Sequence, residues 1–457
     1  MSSSAKPVAR SFQPLSGIDG RVIAPEHADY DQARAVFYGG IDKRPAAIVR
    51  VAGVEDVRRT ISAARSHGYE LAVRSGGHSV AGHSTTDGGL VIDLRDLSKV
   101  EIDANARTAW VETGATAAQV TRALEPHGFA VGFGDAGSVG VGGITLNGGI
   151  GFLVRKFGMT IDSVLAAEIV TADGRHLRVD DTHDSDLFWA IRGGGGNFGV
   201  VTRWQYRLRE LPHFTGGMLV LPATPETIAG FSAASLAAPD ELSTIGNVMP
   251  APPAPFIPAD MHGRLVILAL MAFAGDDAAA QRALAPFRSL ATPLADLVKA
   301  SAYSAMYPPE DPNYRPTAVA RTMFSSGIDL ATARAIHKYL SESDAPMRVA
   351  QIRALGGAMA RVASDSTAYA HRDKPMLVNL AAFYQSDAER AVRQRWVTEF
   401  ARAVEPTDDS AYVGFLTDDG PARLRAVYPG PTWERLRRVK LAYDPTNLFR
   451  LNQNIPV

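Results

Sequence analysis

Short strand and helix patterns alternate along the first half of the chain. Residues 46–51 have the apolar run of a buried strand, and apolar side chains then recur at helical spacing from Val54 until Gly68 ends the helix. From residue 45 to about 211, this order predicts an α+β domain with glycine-rich junctions. Further strand patterns lie at 71–74, 89–94 and 108–113, and a helix pattern lies at 117–124.

The pattern changes between about 211 and 410, where proline and alanine are more frequent and strands of period two appear. Residues 348–353 and 376–381 alternate from side to side, and 330–340 has helical spacing. We therefore expect a sheet with one face covered by helices. The stretch 432–457 is a charged helix followed by a polar segment. It is too short to fold alone, and we expect it to dock onto an earlier domain.

Composition narrows the class of protein. The 457 residues are 46% hydrophobic and 21% charged, which is ordinary for a globular protein, and the length suggests about two or three domains. A disordered or collagen-like chain is excluded. The formal net charge of -1 provides no field that would attract nucleic acid or an anionic membrane, so we expect neither as a partner.

The chain contains no cysteine, which excludes disulfides, iron–sulfur clusters, thiolate zinc sites and a cysteine nucleophile. His83 and His176 lack the spacing of metal ligands, and we expect no metal site. Residues 1–15 are polar and no run of ~18 apolar residues occurs. We therefore expect a soluble, cytoplasmic protein without a signal peptide or membrane span.

Glycine-rich segments dominate the candidate chemistry. Glycine lets a backbone approach a ligand closely and leaves its N–H groups open to phosphate. Tight turns are the less favoured interpretation of any one segment. The four together exceed what turns need, and they predict a ligand site. The segments are residues 74–79, 137–143, 147–151 and 193–199.

Two common interpretations of these segments are disfavoured. Residues 194–199 satisfy G-x-G-x-x-G, but the strand-like stretch 200–206 follows where a dinucleotide site needs a helix. Residues 136–140 resemble a degenerate nucleophile elbow around Ser138, but the following 141–143 are poor helix material. A serine hydrolase would also need a His and an Asp that the sequence does not assemble around that serine. No P-loop motif occurs.

His78 follows a strand and lies within glycines, where an imidazole could reach a bound cofactor. Local sequence alone favours an ordinary hydrogen-bonding loop histidine at this position.

The long motifs together resemble the FAD-linked oxidases of the berberine bridge enzyme group, in particular its singly linked, hydroxynicotine-oxidase-like bacterial members. The similarity reaches both ends of the chain, whereas about 215 to 340 matches weakly. It rests on residues 74–78, 139–143 with 147–152, 155–158 with Asp162, 186–199, and 443–450 with 452–455.

The resemblance implies the two-domain, PCMH-type α+β fold of the vanillyl-alcohol-oxidase flavoproteins. Residues 1–210 would form the FAD-binding domain, with a core at about 41–211. Residues 211–410 would form an inserted substrate domain, an antiparallel sheet covered by helices. The segment 411–457 would return to the FAD domain.

The resemblance also implies a covalent bond between His78 and the flavin 8α-methyl group. Many relatives add a cysteinyl link, whose position corresponds to Ala136 here, so a second link is impossible in this chain. Val139 occupies the position beside the reactive edge of the flavin in this group. The resemblance associates a valine there with access of O2 to the flavin, so this residue favours an oxidase over a dehydrogenase.

Motif positions then imply the site residues. Tyr412 resembles the tyrosine of a Tyr-x-Asn-Phe element, with Gly414 in place of the asparagine. As a base, a tyrosine with the ordinary pKa of ~10 would need help from a nearby charge, and a buried core tyrosine explains the residue equally well. Polar candidates for the substrate pocket are Gln351, Arg353, Asn379 and Tyr384. Residues expected to hold FAD are Arg74, Ser75, Gly76, Gly77, His78, Ser79, Gly82, His83, Ser138, Val139, Gly142, Gly143, Thr145, Asn147, Gly148, Gly149, Gly151, Phe152, Gly199, Val201, Asn452 and Asn454.

The implied activity is that of an oxidase acting on a small organic molecule. A C–H bond next to an alcohol or amine would give hydride to flavin N5, Tyr412 would take the O–H or N–H proton, and O2 would then be reduced to H2O2. Sugars, secondary alcohols, cyclic amines and intermediates of secondary metabolism all remain open as substrates. The alternatives are a flavin dehydrogenase that uses another acceptor, and a flavin-binding protein that has lost turnover.

Overall fold

The computed structural model describes residues 15–404, 410–417 and 420–457. Within these ranges, no helix is long and apolar enough to span a membrane. The same ranges contain no group of three or more histidine and acidic side chains arranged to hold a metal ion.

Strands of the first half form two main sheets. In chain order they are β1 (Arg21–Ile23), β2 (Ala47–Arg50), β3 (Leu71–Arg74), β4 (Leu90–Asp93), β5 (Val100–Asp103), β6 (Thr108–Glu112), β7 (Phe129–Ala130), β8 (Val164–Val170), β9 (His176–Asp180), β10 (Val200–Arg207) and β11 (Arg209–Glu210). The first sheet has the order β1-β2-β4-β3, in which β4 runs parallel to both of its neighbours. The second is antiparallel with the order β5-β6-β10-β8-β9, and β7 pairs with β11.

Helices of the first half pack on these sheets. The longest, α2, buries Val57 and Ile61 among the apolar side chains of the first sheet and ends at Gly68, whose φ of 70° is left-handed. The helix at 117–124 begins with a capping box between Thr116 and Gln119. The helices are α1 (Tyr30–Arg34), α2 (Val54–His67), α3 (Ala117–Leu124), α4 (Val141–Leu146), α5 (Val154–Phe157) and α6 (Ser185–Ile191).

Helix α4 corrects a sequence expectation, because Val141, Gly142 and Gly143 are poor helix material by their own propensities. The backbone N–H groups of Val141 and Gly142 donate to the carbonyls of Ala115 and Thr113, so a neighbouring loop satisfies the first turn. A Cβ at Gly142 would overlap the Thr113 side chain, so this packing requires glycine. Tertiary contacts therefore outweigh the weak helix propensity of this segment.

Residues 215–383 form a mainly antiparallel sheet of eight strands. These are β12 (Thr215–Pro222), β13 (Leu242–Pro250), β14 (Leu265–Phe273), β15 (Ala295–Asp296), β16 (Lys299–Ala300), β17 (Ala318–Ser325), β18 (Arg348–Ala354) and β19 (Met376–Phe383). The order is β15-β12-β14-β13-β18-β19-β17, and β16 also pairs with β12.

One face of this sheet is covered by helices, as expected. Apolar side chains of α7 to α10, among them Phe231, Phe287, Ile336 and Phe400, pack into a core with strand residues such as Ile267. The opposite face remains available to a ligand. The helices are α7 (Pro225–Ala237), α8 (Asp277–Arg288), α9 (Leu330–Glu342) and α10 (Asp387–Val404), and α11 (Pro421–Val427) and α12 (Pro431–Tyr443) follow them.

A buried ion pair docks the C-terminal segment onto the first half of the chain. Lys440 on α12 and Asp444 lie 2.7 Å apart, and both side chains are fully buried. The ammonium also donates to the carbonyls of Asn197 and Phe449, and Asp444 accepts the backbone N–H of Phe449. The Asn197 side chain bonds the backbone of Gln453 and Ile455. These buried polar contacts join the segment to the first half of the chain beside the apolar packing of Trp433 and Leu436.

We expect Lys440→Met to lower the free energy of unfolding by ~3–5 kcal/mol, because the substitution leaves the buried Asp444 carboxylate without its cation. Urea denaturation followed by tryptophan fluorescence measures the change. Arg438→Met, at an exposed position of the same helix, is the control and should cost no more than ~0.5 kcal/mol. Equal losses in the two variants would contradict a stabilising role for the pair.

Candidate functional site

A cavity of ≈530 Å³ lies between the glycine-rich segments and the uncovered face of the eight-stranded sheet. This volume is within the range of small-molecule and cofactor sites. Its wall draws on both halves of the fold. The contributing residues fall within 37–41, 71–84, 134–150, 195–201, 314–320, 349–353, 379–390, 412–417 and 449–453, together with Leu94 and Thr113.

Two glycine segments cross on the cofactor side of this cavity. A Cβ on Gly76 would overlap the backbone nitrogen of Gly140, and a Cβ on Gly140 would overlap the Ser75 hydroxyl. Backbone therefore lies directly against backbone at the crossing. At Gly143 and Gly196, by contrast, a Cβ would meet no atom within 4 Å, and both residues line the cavity. These open stretches of backbone suit an extended ligand with phosphate groups.

His78 follows β3 and faces the cavity. Its ring stacks on Phe37 with centroids 4.1 Å apart, and Nε2 lies 2.9 Å from the Ser138 hydroxyl oxygen. Burial lowers the pKa of His78 to about 4, against the opposing influence of the Glu310 and Asp135 carboxylates. The imidazole is therefore neutral at pH 7 and retains one nitrogen lone pair.

The uncovered face of the sheet carries a row of polar side chains. Asn247, Gln351 and Asn379 are in register on adjacent strands, and the Gln351 amide donates to Asn247 Oδ1 at 2.8 Å. Arg353 donates to Gln351 Oε1 and, at 2.8 Å, to Asp135 Oδ2. Among the described residues, Arg353 Nη1 and Asn379 Oδ1 are buried without a hydrogen-bond partner. One donor and one acceptor are thus left for a ligand.

Tyr412 is buried at the junction of the sheet and the glycine loops. Its hydroxyl accepts the backbone N–H of Gly149 at 3.1 Å, and its ring meets Phe415 edge-on at 5.2 Å. Burial raises the pKa of Tyr412 to about 12, and Arg353 offsets only part of this rise. The shift is opposite to what a base needs, so the phenol keeps its proton at neutral pH.

The predicted site residues divide into two groups. Those that do not line the described cavity support the loops behind it: Arg74, for example, donates to Asp93 at 2.9 Å, and the Thr145 hydroxyl bonds Tyr206. The lining residues are Ser75, Gly76, Gly77, His78, Ser79, His83, Val139, Gly142, Gly143, Asn147, Gly199, Val201, Gln351, Arg353, Asn379, Tyr384, Tyr412 and Asn452. The supporting residues are Arg74, Gly82, Ser138, Thr145, Gly148, Gly149, Gly151, Phe152 and Asn454.

Among the residues not predicted from the sequence, Asp135, Phe37 and Glu310 contact predicted site residues. Asp135 is the one acidic residue on the described cavity wall, and its place directly before Ala136 in a glycine segment was an available signal. Phe37 and Glu310 lie outside every motif, and nothing in their local sequence distinguishes them.

Comparison with known proteins agrees with this geometry. The family model described as FAD binding domain matches residues 45–180, and the one described as berberine and berberine like matches 411–456. (R)-6-hydroxynicotine oxidase of Paenarthrobacter nicotinovorans is 29% identical over 97% of this chain and 97% of its own. Xylooligosaccharide oxidase of Thermothelomyces thermophilus is 27% identical over 95% and 92%. The crystal structure of 6-hydroxy-D-nicotine oxidase from Arthrobacter nicotinovorans superposes with a TM-score of 0.86 at 27% identity, covering 98% and 99% of the two chains.

Fold, cavity and family matches together define an FAD-linked oxidoreductase, an enzyme with helices and antiparallel sheets in the PCMH-type arrangement. Within that class, the chain carries a berberine-like domain at residues 411–456 and is similar over nearly its whole length to (R)-6-hydroxynicotine oxidase. The resemblance and the fold class expected from the sequence are confirmed.

Ser138 does contact a histidine and a carboxylate, but not in the arrangement of a hydrolase triad. Its hydroxyl bonds both His78 and Glu310, so the serine lies between them. In a triad, the histidine lies between the serine and the acid.

We expect Gly76→Ala to lower the FAD content of the purified protein severalfold, because the new methyl group overlaps the Gly140 backbone and separates the crossed loops. The ratio of flavin to protein absorbance measures this content. Gly53→Ala, at a surface position where a Cβ meets no atom within 4 Å, is the control and should retain full flavin. Normal flavin content in Gly76→Ala would contradict the importance of the crossing.

Proposed function

We propose that this protein is an FAD-dependent oxidase. It would take a hydride from a C–H bond next to an alcohol or amine of a small organic substrate and use O2 as acceptor, forming H2O2. The observation that carries the proposal is the shared cavity, in which open glycine backbone faces a polar sheet surface with a free donor and a free acceptor. Two similar full-length proteins named as oxidases support it.

The division of the chain and the cofactor attachment are part of this proposal. Residues 1–210 and 411–457 would bind FAD, and 211–410 would bind the substrate. FAD would be held by the glycine segments and the tail and linked covalently to His78 alone, because Ala136 provides no second attachment. When bound, this cofactor supplies a two-electron acceptor that O2 can reoxidise. One solved relative, the glucooligosaccharide oxidase of Acremonium strictum, carries a histidyl and cysteinyl FAD.

Substrate recognition is assigned to the polar sheet face. Arg353 Nη1 would donate to an oxygen or nitrogen lone pair of the substrate, and Asn379 Oδ1 would accept an O–H or N–H group. Gln351 holds Arg353 in place, and Tyr384 lines the same wall. An alcohol or a cyclic amine can make both contacts. This agrees with the names of two relatives, (R)-6-hydroxynicotine oxidase and xylooligosaccharide oxidase.

Proton removal is assigned to Tyr412 together with Asp135. Since burial raises the pKa of Tyr412 to about 12, the phenol would receive the substrate proton only as it gives up its own. Asp135 is the acidic residue of the described cavity wall and would accept that proton. Its ion pair with Arg353 ties it to the substrate side of the cavity. Val139 lines the same wall, and the resemblance associates a valine at this position with access of O2 to the flavin.

The direct test uses purified holoenzyme and a panel of cyclic amines, secondary alcohols and oligosaccharides. We expect at least one class to bleach the flavin absorbance without oxygen and to yield one H2O2 per substrate on aeration. If substrate bleaches the flavin absorbance and an artificial electron acceptor restores it but O2 does not, the protein is a dehydrogenase. No bleaching by any member of the panel would favour a flavin-binding protein without turnover.

We expect Tyr412→Phe to slow anaerobic flavin reduction by ~10²–10⁴-fold, because the relaying hydroxyl is lost. The loss should be uniform from pH ~7 to ~10, since a phenol with a pKa of about 12 does not ionise in that window, although an ordinary tyrosine begins to. Stopped-flow absorbance across pH measures both effects. A wild-type rate that rises tenfold per pH unit up to pH ~10 and then levels off would show instead that Tyr412 titrates as an unperturbed base.

A further inference from the structure

Glu310 connects the substrate half of the chain to the glycine segment beside His78. It belongs to the stretch between Met306 and β17, outside the sequence motifs, and its side chain is exposed to solvent. Glu310 Oε1 accepts the backbone N–H of Ser138 at 3.1 Å, and Oε2 accepts the Ser138 hydroxyl. The same hydroxyl oxygen lies 2.9 Å from His78 Nε2.

The direction of these hydrogen bonds fixes the state of the imidazole. An ionised carboxylate only accepts, so the Ser138 hydroxyl donates its proton to Glu310. Its oxygen is then free to accept, and His78 must carry its single proton on Nε2. The Nδ1 lone pair is therefore available as a nucleophile. Stacking on Phe37 limits rotation of the ring.

We propose that Ser138 and Glu310 are positioning residues for attachment of the flavin to His78. They hold the tautomer whose Nδ1 attacks the 8α carbon, and they remove the Nε2 proton as the C–N bond forms. The inference rests on the covalent link under the proposed function. It assigns a role to two residues that take no part in substrate oxidation.

One methyl C–H bond of the flavin and the N–H bond of His78 break, and one C–N bond forms. Two electrons and two protons are left over. The flavin would hold the two electrons until O2 accepts them, the methyl proton would leave to solvent, and two protons from solvent would complete H2O2. The Nε2 proton passes to Ser138 as the serine gives its own to Glu310, whose exposed carboxylate exchanges with solvent.

Other charged groups act on His78 but cannot replace this path. The charges of Asp135 and Arg315 shift the pKa of His78 in opposite directions, whereas Ser138 is hydrogen-bonded to its ring. Asp311, next to Glu310, turns its carboxylate to the backbone of Asn313. Asp311→Asn thus removes the same charge one residue away but leaves intact the hydrogen-bonded pair of Ser138 and Glu310, the relay through which the His78 proton leaves.

The experiment measures covalent flavin separately from total flavin. Full-length variants are purified and incubated with FAD in air, and the flavin that precipitates with the polypeptide in acid is followed over time. We expect Glu310→Gln and Ser138→Ala to bind FAD normally but to attach it about 100-fold more slowly than wild type. Asp311→Asn and Ser138→Thr, which keeps the hydroxyl, should match wild type, and His78→Ala should attach none.

Rescue separates a proton-accepting role from a structural one. In Glu310→Ala, added acetate should restore attachment because a small carboxylate can enter the exposed gap beside Ser138, whereas chloride at equal ionic strength should not. Attachment at the wild-type rate in Glu310→Gln, or loss of total FAD in both relay variants, would overturn the inference. Wild-type protein that binds FAD but releases all of it in acid would refute the covalent link and the relay together, while leaving the oxidase proposal intact.

Discussion

Backbone contact between Gly76 and Gly140 is the constraint on which the cofactor side of this enzyme depends. The two segments can cross only because neither residue has a side chain at the contact. The crossing brings His78 on one segment next to Ser138 and Val139 on the other. Beyond it, helix α4 begins with its first N–H groups bound to the loop at Thr113 and Ala115, so backbone hydrogen bonds hold the start of the glycine-rich helix.

The site is completed by long-range polar contacts between the two halves of the fold. Arg353 reaches from β18 to Asp135, and Glu310 reaches to Ser138. Tyr412 joins them by accepting the backbone N–H of Gly149. These bonds make the sheet face and the glycine loops the walls of one cavity. Displacement of either half would therefore change the charge around the histidine and the tyrosine at once.

Local pattern was enough to predict most of the framework. The strand at 71–74 and the helix at 117–124 have the expected bounds, and helices cover one face of the period-two strands as expected. Helix α4 was not predictable because its stability comes from a distant loop and not from its own residues. The ion pair of Asp135 with Arg353 spans 218 positions, and the bond of Ser138 with Glu310 spans 172. A single sequence contains no local signal for pairs of this kind, and the raised pKa of Tyr412 depends on burial that only the fold creates.

The docked C-terminal segment has a consequence for the order in which the protein is made. The Asn197 side chain at the end of the last glycine segment bonds the backbone of Gln453 and Ile455, more than 250 positions later. The ribosome therefore synthesises the whole eight-stranded sheet before the Asn197 side chain can form these hydrogen bonds. Because domains fold as units during synthesis, the sheet can assemble while the cofactor side is still incomplete. The nascent chain would thus acquire its flavin only after translation has passed Ile455.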